Sequence, residues 1–213
     1  GNPSSKYYFL AKEAEEAVEI ARGRVAKLIN AKPEEIIFTS SASESNNFII
    51  KGVADYQKYY EGKGNHILTS SVEHKSIIST CRYLNGELYM NKEKNKFTSG
   101  HNKKVDRGYD VEFLNVNKYG QVELEYFRSK IKDSTTLASI IWANNEIGSI
   151  NDIQGLSEIA KENKLLFHSD ATQALGKIEI DVKKTPVDFL SFSAHKLYGP
   201  KGIGACYIRS GKY

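Results

Sequence analysis

The chain has 213 residues, 40% of them hydrophobic and 26% charged, enough for one sizeable core and hardly enough for two. A formal net charge of +4 invites a nucleic-acid partner, but much of the excess sits in one segment, Asn91 to Lys104, where eight of fourteen residues are Lys or Asn, and it is not spread along a helix face. Two cysteines without a short spacing, Cys81 and Cys206, argue against a disulfide framework or a zinc site, and no apolar run approaches a membrane-crossing length. No nucleic-acid, membrane or metal role is therefore expected. No signal peptide is read, and the start at Gly1-Asn-Pro-Ser, without an initiator Met, leads us to expect a piece of something longer.

Taken in order, helix and strand patterns alternate. Ala11 to Ile29 carries Ala14, Ala17, Val18, Ala21, Val25 and Leu28 at the spacing of an amphipathic helix. Pro33 marks a turn, Glu35 to Thr39 reads as a strand, and Ser40 to Glu44 as a small-residue loop that leads to an apolar helix from Phe48 to Tyr60. His66 to Thr69 is the next strand and Val72 to Leu84 the next helix. Residues 85–110 break the rhythm with polar, low-complexity sequence, expected to be a solvated surface insertion. Beyond it, Val111 to Leu114 reads as a strand, Glu123 to Ile131 as a helix and Leu137 to Trp142 as an apolar strand. Asp152 is expected to cap a helix ending near Asn163, and Leu165 to Phe167, Val187 to Phe192 and Gly204 to Ile208 complete the strands. Such alternation predicts an α/β three-layer sandwich around a mostly parallel, roughly seven-stranded central sheet. Ligands of such sheets sit beyond the carboxyl ends of the strands, so the residues that follow each strand carry the functional reading.

After Phe38 come Ser41, Ala42 and Ser43, which suit either a phosphate at a helix start or a plain serine N-cap. His74 follows the strand ending near Leu68, as a ring to stack on an aromatic cofactor or as a surface histidine. Asn144 and Asn145 follow Trp142; two amides there can orient a ligand oxygen or form an Asx turn. Behind Phe167 stand His168, Asp170, Thr172 and Gln173. A carboxylate behind a buried strand needs a charged partner, such as a protonated pyridine nitrogen, unless Asp170 is a helix N-cap. Finally Ser193-Ala-His-Lys196 runs on into Leu197-Tyr-Gly-Pro-Lys-Gly202. Lys196, just past a strand end, suits an amine that forms a Schiff base with a carbonyl, and Ser193 and His195 flank it with donors for a phosphate.

Together these groups meet the needs of pyridoxal 5'-phosphate: a Schiff-base lysine, an acid on the ring nitrogen, a phosphate cradle and a stacking ring. The chain resembles the cysteine desulfurases of the NifS/IscS group, within the fold-type I pyridoxal-phosphate enzymes of the class V aminotransferase family. The segments that carry the resemblance are Gly1-Asn-Pro-Ser-Ser5, Phe38-Thr-Ser-Ser-Ala-Ser-Glu-Ser45, Val72-Glu-His-Lys75, Asn144-Asn-Glu-Ile-Gly148, His168-Ser-Asp-Ala-Thr-Gln173 and Ser191 to Gly204. They run in family order over nearly the whole chain outside residues 85–110; Ser41 and Ser43 stand where Gly and Thr are common.

The resemblance implies roles residue by residue. Lys196 would hold the cofactor, His74 stack on its ring and assist proton transfer, Asp170 pair with the ring nitrogen, and Gln173 bond the phenolic oxygen. Ala42, Ser43, Ser193, Ala194 and His195 would take the phosphate, and Asn145 would orient the cofactor or the substrate carboxylate. It further implies that residues 1–213 are a large, cofactor-binding domain, with an N-terminal segment and a C-terminal small domain bearing the sulfur-accepting cysteine absent. The parent activity would convert L-cysteine to L-alanine and pass sulfur to an iron–sulfur scaffold, in a homodimer that is mitochondrial in a eukaryote and otherwise cytoplasmic. The alternatives are a selenocysteine lyase or aminotransferase of the same fold, or a truncated paralogue acting through partners.

Overall fold

Seven strands make one sheet in the computed structural model of the protein, which describes residues 2–5, 8–91, 96–99 and 105–211. In chain order the elements are α1 (Phe9–Leu28), β1 (Ile36–Thr39), α2 (Ala42–Asp55), β2 (His66–Ser70), α3 (Lys75–Leu84), β3 (Leu88–Asn91), β4 (Lys96–Ser99), β5 (Asp110–Leu114), α4 (Leu124–Ser129), β6 (Thr135–Ser139), α5 (Ile153–Glu162), β7 (Leu166–Asp170), β8 (Phe189–Ser193) and β9 (Gly204–Ile208). The strand order is β1-β9-β8-β7-β6-β2-β5. Only β9 runs against its neighbours, pairing antiparallel with both β1 and β8, so the carboxyl ends of the other six strands lie along one edge.

Period-two alternation along the strands divides the core into two layers. Leu68, Ala138, Phe167 and Leu190 face a cluster that takes in α1, α4 and α5, through residues such as Ala26, Phe127 and Leu156. Their neighbours Ile67, Leu137 and Phe189 face a second cluster with Ile49, Ile50 and Val53 of α2 and Ile77 and Cys81 of α3. This is the expected three-layer arrangement. Central strands buried on both faces read as continuous apolar runs, which is why they were visible in the sequence.

The boundaries moved where they matter. The apolar run ending at Trp142 was expected to be strand throughout, but β6 stops at Ser139; Ile140 and Trp142 still donate to His168 O and Asp170 O, extending the β6–β7 contact. Strand β7 continues three residues beyond Phe167, which puts Asp170 at its very end. Helix α2 begins at Ala42 and not at Phe48, because Ser41 caps it by accepting from Glu44 N at 3.3 Å. Helix α3 begins at Lys75 and not at Val72, with His74 as its N-cap.

The polar insertion is not wholly irregular. Within it β3 and β4 pair antiparallel as a separate two-stranded sheet, Leu88 opposite Ser99 and Met90 opposite Phe97. Short runs of strand-forming residues were masked there by the Lys and Asn around them. Residues 92–95 and 100–104 of the insertion lie outside the described residues. Among the described residues, no helix is long and apolar enough to cross a membrane, and no group of His, Cys, Asp or Glu could hold a metal ion.

Candidate active site

Five separate strand ends converge on one cavity of ≈ 160 Å³ at the carboxyl edge of the sheet. Its wall contains Ala42, Ser43, His74, Asn145, Asp170, Gln173, Ser193, His195 and Lys196, all expected from the sequence. Ala194, also expected, is not on the wall. Ser41, Thr172 and Ile141 complete it, Ile141 without any sequence signal. A larger cleft of ≈ 450 Å³ opens by the start of β7, but its Arg209 is occupied by the backbone carbonyls of Val182, Thr185 and Val187. Chemistry, not size, makes the smaller cavity the candidate site.

Each wall element is held by a local contact that resolves an ambiguity of the sequence. Ser41, not Ser43, is the N-cap of α2, so the Ser43 hydroxyl sits in the first helical turn at the cavity wall. Ala42 N donates to Ser193 Oγ at 3.3 Å, joining the α2 start to the end of β8, and His195 Nδ1 lies 3.3 Å from the same hydroxyl. Gly204 makes this junction possible: a Cβ there would lie 2.6 Å from Ser41 C and 2.7 Å from Phe192 O, both backbone atoms. Asn144 makes the Asx turn, accepting from Glu146 N and Ile147 N and donating to Val72 O, which leaves Asn145 on the cavity wall.

Asp170 is buried at 3% exposure and is no helix cap, since turns and not a helix follow it. Its Oδ1 accepts from Thr172 N at 3.0 Å and its Oδ2 from Asn46 Nδ2 at 2.9 Å, both N–H donors of the kind a carboxylate takes. Among the described residues no lysine or arginine pairs with it. Two positions back on β7, His168 is bonded to Ser139 and Ser191 on the neighbouring strands, at 2.8 and 2.9 Å. Burial pushes this imidazole down to about 4, so it is a neutral rung across the sheet at pH 7 and not part of the cavity. Lys177 Nζ reaches both Gln173 Oε1 and Lys196 O at 3.4 Å, tying the Gln173 turn to the lysine turn.

Glu73 escaped the sequence reading. Its Oε1 accepts from Ile141 N at 2.9 Å and lies 2.5 Å from Ser70 Oγ, while Oε2 is buried without a hydrogen-bond partner. Burial, reinforced by the charge of Asp170, pushes this carboxyl up from 4.5 to about 8. Between those limits the folded protein holds a proton that the unfolded chain has released. Stability therefore falls as pH rises from about 4.5 to about 8, by at most about 1.4 kcal/mol per pH unit for this group. Replacing Glu73 with Gln should flatten that slope, and urea unfolding of both proteins at a series of pH values measures it. Parallel curves would show that Glu73 does not carry the proton.

The residues fit pyridoxal phosphate. A buried carboxylate lacking a cation faces the cavity, Thr172 Oγ1 is buried there without a partner, an amine stands at Lys196, and hydroxyl, imidazole and helix-start groups gather at Ser43, Ser193 and His195. A mostly parallel seven-stranded sheet with ligand groups along its carboxyl edge is compatible with the fold-type I pyridoxal-phosphate enzymes. The chain belongs to the aminotransferase class-V family, whose profile matches residues 1–212. It is 46% identical over 209 residues to a cysteine desulfurase IscS of Buchnera aphidicola, an alignment covering 98% of this chain and 46% of that protein. Among solved structures, a NifS-like protein superposes with a TM-score of 0.84 at 38% identity, over 99% of this chain and 52% of the other. SspA in complex with cysteine gives the same TM-score, 0.84, at 37% identity over 99% of this chain and 54% of the other. The chain thus spans about half the length of the curated relatives it matches.

Proposed function

We propose that these residues form the cofactor-binding half of a pyridoxal-phosphate-dependent cysteine desulfurase, which takes sulfur from L-cysteine and leaves L-alanine. The observation that carries the reading is the convergence of Lys196, Asp170, His74 and Gln173 with the phosphate donors on one cavity wall. The likeness to IscS desulfurases and to a protein solved with cysteine narrows the substrate class.

When bound, pyridoxal phosphate supplies an electron sink that loosens bonds at the carbon bearing the substrate's amino group. The chain's own residues do the rest. Lys196, on the cavity wall, would hold the cofactor through its Nζ amine. Asp170 holds positive charge at the ring nitrogen, and Asn46 and Thr172 N hold Asp170. The start of α2, with Ser43, Ser193 and His195, anchors the phosphate; Gln173 and Asn145 orient ring and substrate oxygens. Ile141, pinned by Glu73, gives the wall an apolar surface that limits water.

The reading also requires a sulfur acceptor, and neither cysteine suits. Cys81 and Cys206 are both fully buried, and burial pushes their thiols up to about 12 and about 11, whereas a sulfur acceptor must be a mobile thiolate. We therefore place the acceptor outside residues 1–213, in a second domain. Homodimer formation and transfer to an iron–sulfur scaffold belong to the same reading; the exposed Tyr198, held at φ 59° on the turn beyond Lys196, offers a contact surface beside the site.

A sulfide assay with L-cysteine and an added dithiol reductant, which reduces the persulfide sulfur to sulfide, tests this. Residues 1–213 with pyridoxal phosphate should release no more sulfide than free cofactor, and the same residues within a full-length polypeptide should release it with equal L-alanine. No sulfide from the full-length protein sinks the desulfurase reading. Sulfide from residues 1–213 that Cys81→Ser or Cys206→Ser abolishes would mean the acceptor is within this chain.

A further inference from the structure

One hydrogen-bond chain links the two groups of the site that stand far apart in sequence, His74 and Asp170. It passes through two residues that no motif singled out, Asn46 on α2 and Ser76 on α3. Asn46 is fully buried. Its Nδ2 donates to Asp170 Oδ2 at 2.9 Å and to Ser76 Oγ at 2.9 Å, so both of its amide hydrogens are used. That fixes the amide's orientation, because turning it over would set a carbonyl oxygen against the carboxylate of Asp170. The Oδ1 left behind is buried with no partner among the described residues, a cost accepted to keep both donors in place.

Ser76 stands at the other end of this amide. Its oxygen already accepts from Asn46, which leaves its hydrogen for His74 Nδ1, 2.8 Å away. The direction of that bond is settled by a second contact. Ser76 N, which can only donate, reaches the same Nδ1 at 3.2 Å as the N-cap bond of α3. Nδ1 is therefore an acceptor, its lone pair shared by an N–H and an O–H, and a neutral ring must carry its proton on Nε2. Nε2 has no hydrogen-bond partner among the described residues, and His74 lies on the cavity wall.

We propose that Ser76, held in place by Asn46, is a positioning residue that locks His74 in the Nε2–H form. His74 then meets the cavity's occupant as a hydrogen-bond donor at Nε2, facing an acceptor such as a phenolate, carboxylate or thiolate. The same amide that holds Ser76 also holds Asp170, so two residues of the cavity wall, His74 through Ser76 and Asp170 directly, share one support. The lock itself is a property of the polypeptide; its use in catalysis rests on the cofactor reading above.

Two-bond proton–nitrogen NMR spectra of the imidazoles, taken without added cofactor at a pH where the ring is neutral, read the lock directly. The His74 signals are assigned by their loss in His74→Gln. The wild-type ring should be almost wholly in the Nε2–H form. Ser76→Ala leaves only the longer backbone donor, and the Nδ1–H population should rise several-fold. Ser76→Thr, which keeps the hydroxyl, should restore the wild-type pattern, separating the hydroxyl from any effect on the helix. A wild-type ring with its proton on Nδ1 overturns the lock, and a Ser76→Ala spectrum identical to wild type overturns the role of Ser76. If Lys196 fails to take up pyridoxal phosphate, the cofactor reading falls while the tautomer result stands, so the two fail separately.

Discussion

Lys196→Ala should abolish covalent capture of pyridoxal phosphate while leaving a folded protein. Lys196 lies on the turn after β8, its side chain exposed at the cavity rim, where truncation removes no buried contact. Destabilisation should therefore be small, within about 0.5 kcal/mol, as for surface substitutions generally. Capture should fall from near one equivalent to background. The measurement is borohydride reduction of protein and cofactor, followed by peptide mapping. Wild-type protein should carry the label on Lys196, and the variant nowhere. A label on Lys177 or Lys201 with Lys196 unmodified would sink the central claim, since those lysines lie close to the same turn.

Asp170→Asn should cost the next largest factor. The substitution keeps the shape of the residue and removes the charge that answers a protonated ring nitrogen. Preorganised groups of this kind are worth about 2.7–4 kcal/mol, roughly 10²–10³-fold in rate. The readout that needs no sulfur acceptor is exchange of the α-hydrogen of L-alanine with deuterated solvent, followed by NMR in protein supplied with pyridoxal phosphate. Exchange should slow by that factor while borohydride still labels Lys196. An unchanged rate would mean Asp170 serves only to brace the turn through Thr172 N. Slight local rearrangement is expected in this variant, because the new side-chain amide would approach Asn46 Nδ2, which now donates to a carboxylate oxygen. Far-UV circular dichroism of the variant separates that from unfolding.

Much of the fold was legible because the signals are local. The central strands are buried on both faces and so are written as apolar runs; α5 announces its start with Asp152, which accepts from Gly155 N at 3.0 Å. The wall of the site was legible for a related reason. In a parallel sheet the polar residues that follow each strand are brought to one edge, so Lys196, Asp170, His74 and Asn145 could be gathered by reading strand ends alone. The start of α2 was placed too late, because small polar residues such as Ser41, Ser43 and Ser45 read as loop until a cap and a packing partner fix them as helix, and that of α3 too early, ahead of its cap at His74.

What the sequence by itself determined, then, is the order of elements, the edge at which chemistry gathers, and the residue types that point to one cofactor. Only the tertiary structure decided which polar residues are buried and what they hold. Asn46 and Ser76 are thirty positions apart and look like ordinary helix-start residues, yet they meet between α2 and α3 to orient His74. Glu73 reads as a surface acid beside a functional histidine; packing encloses it, joins it to Ile141 N and drives its carboxyl up to about 8. Cys81 and Cys206 become inert thiols for the same reason. Burial and long-range hydrogen bonding depend on which surfaces the sheet brings together, and a pattern along the chain carries periodicity but not the identity of the partner across the layer.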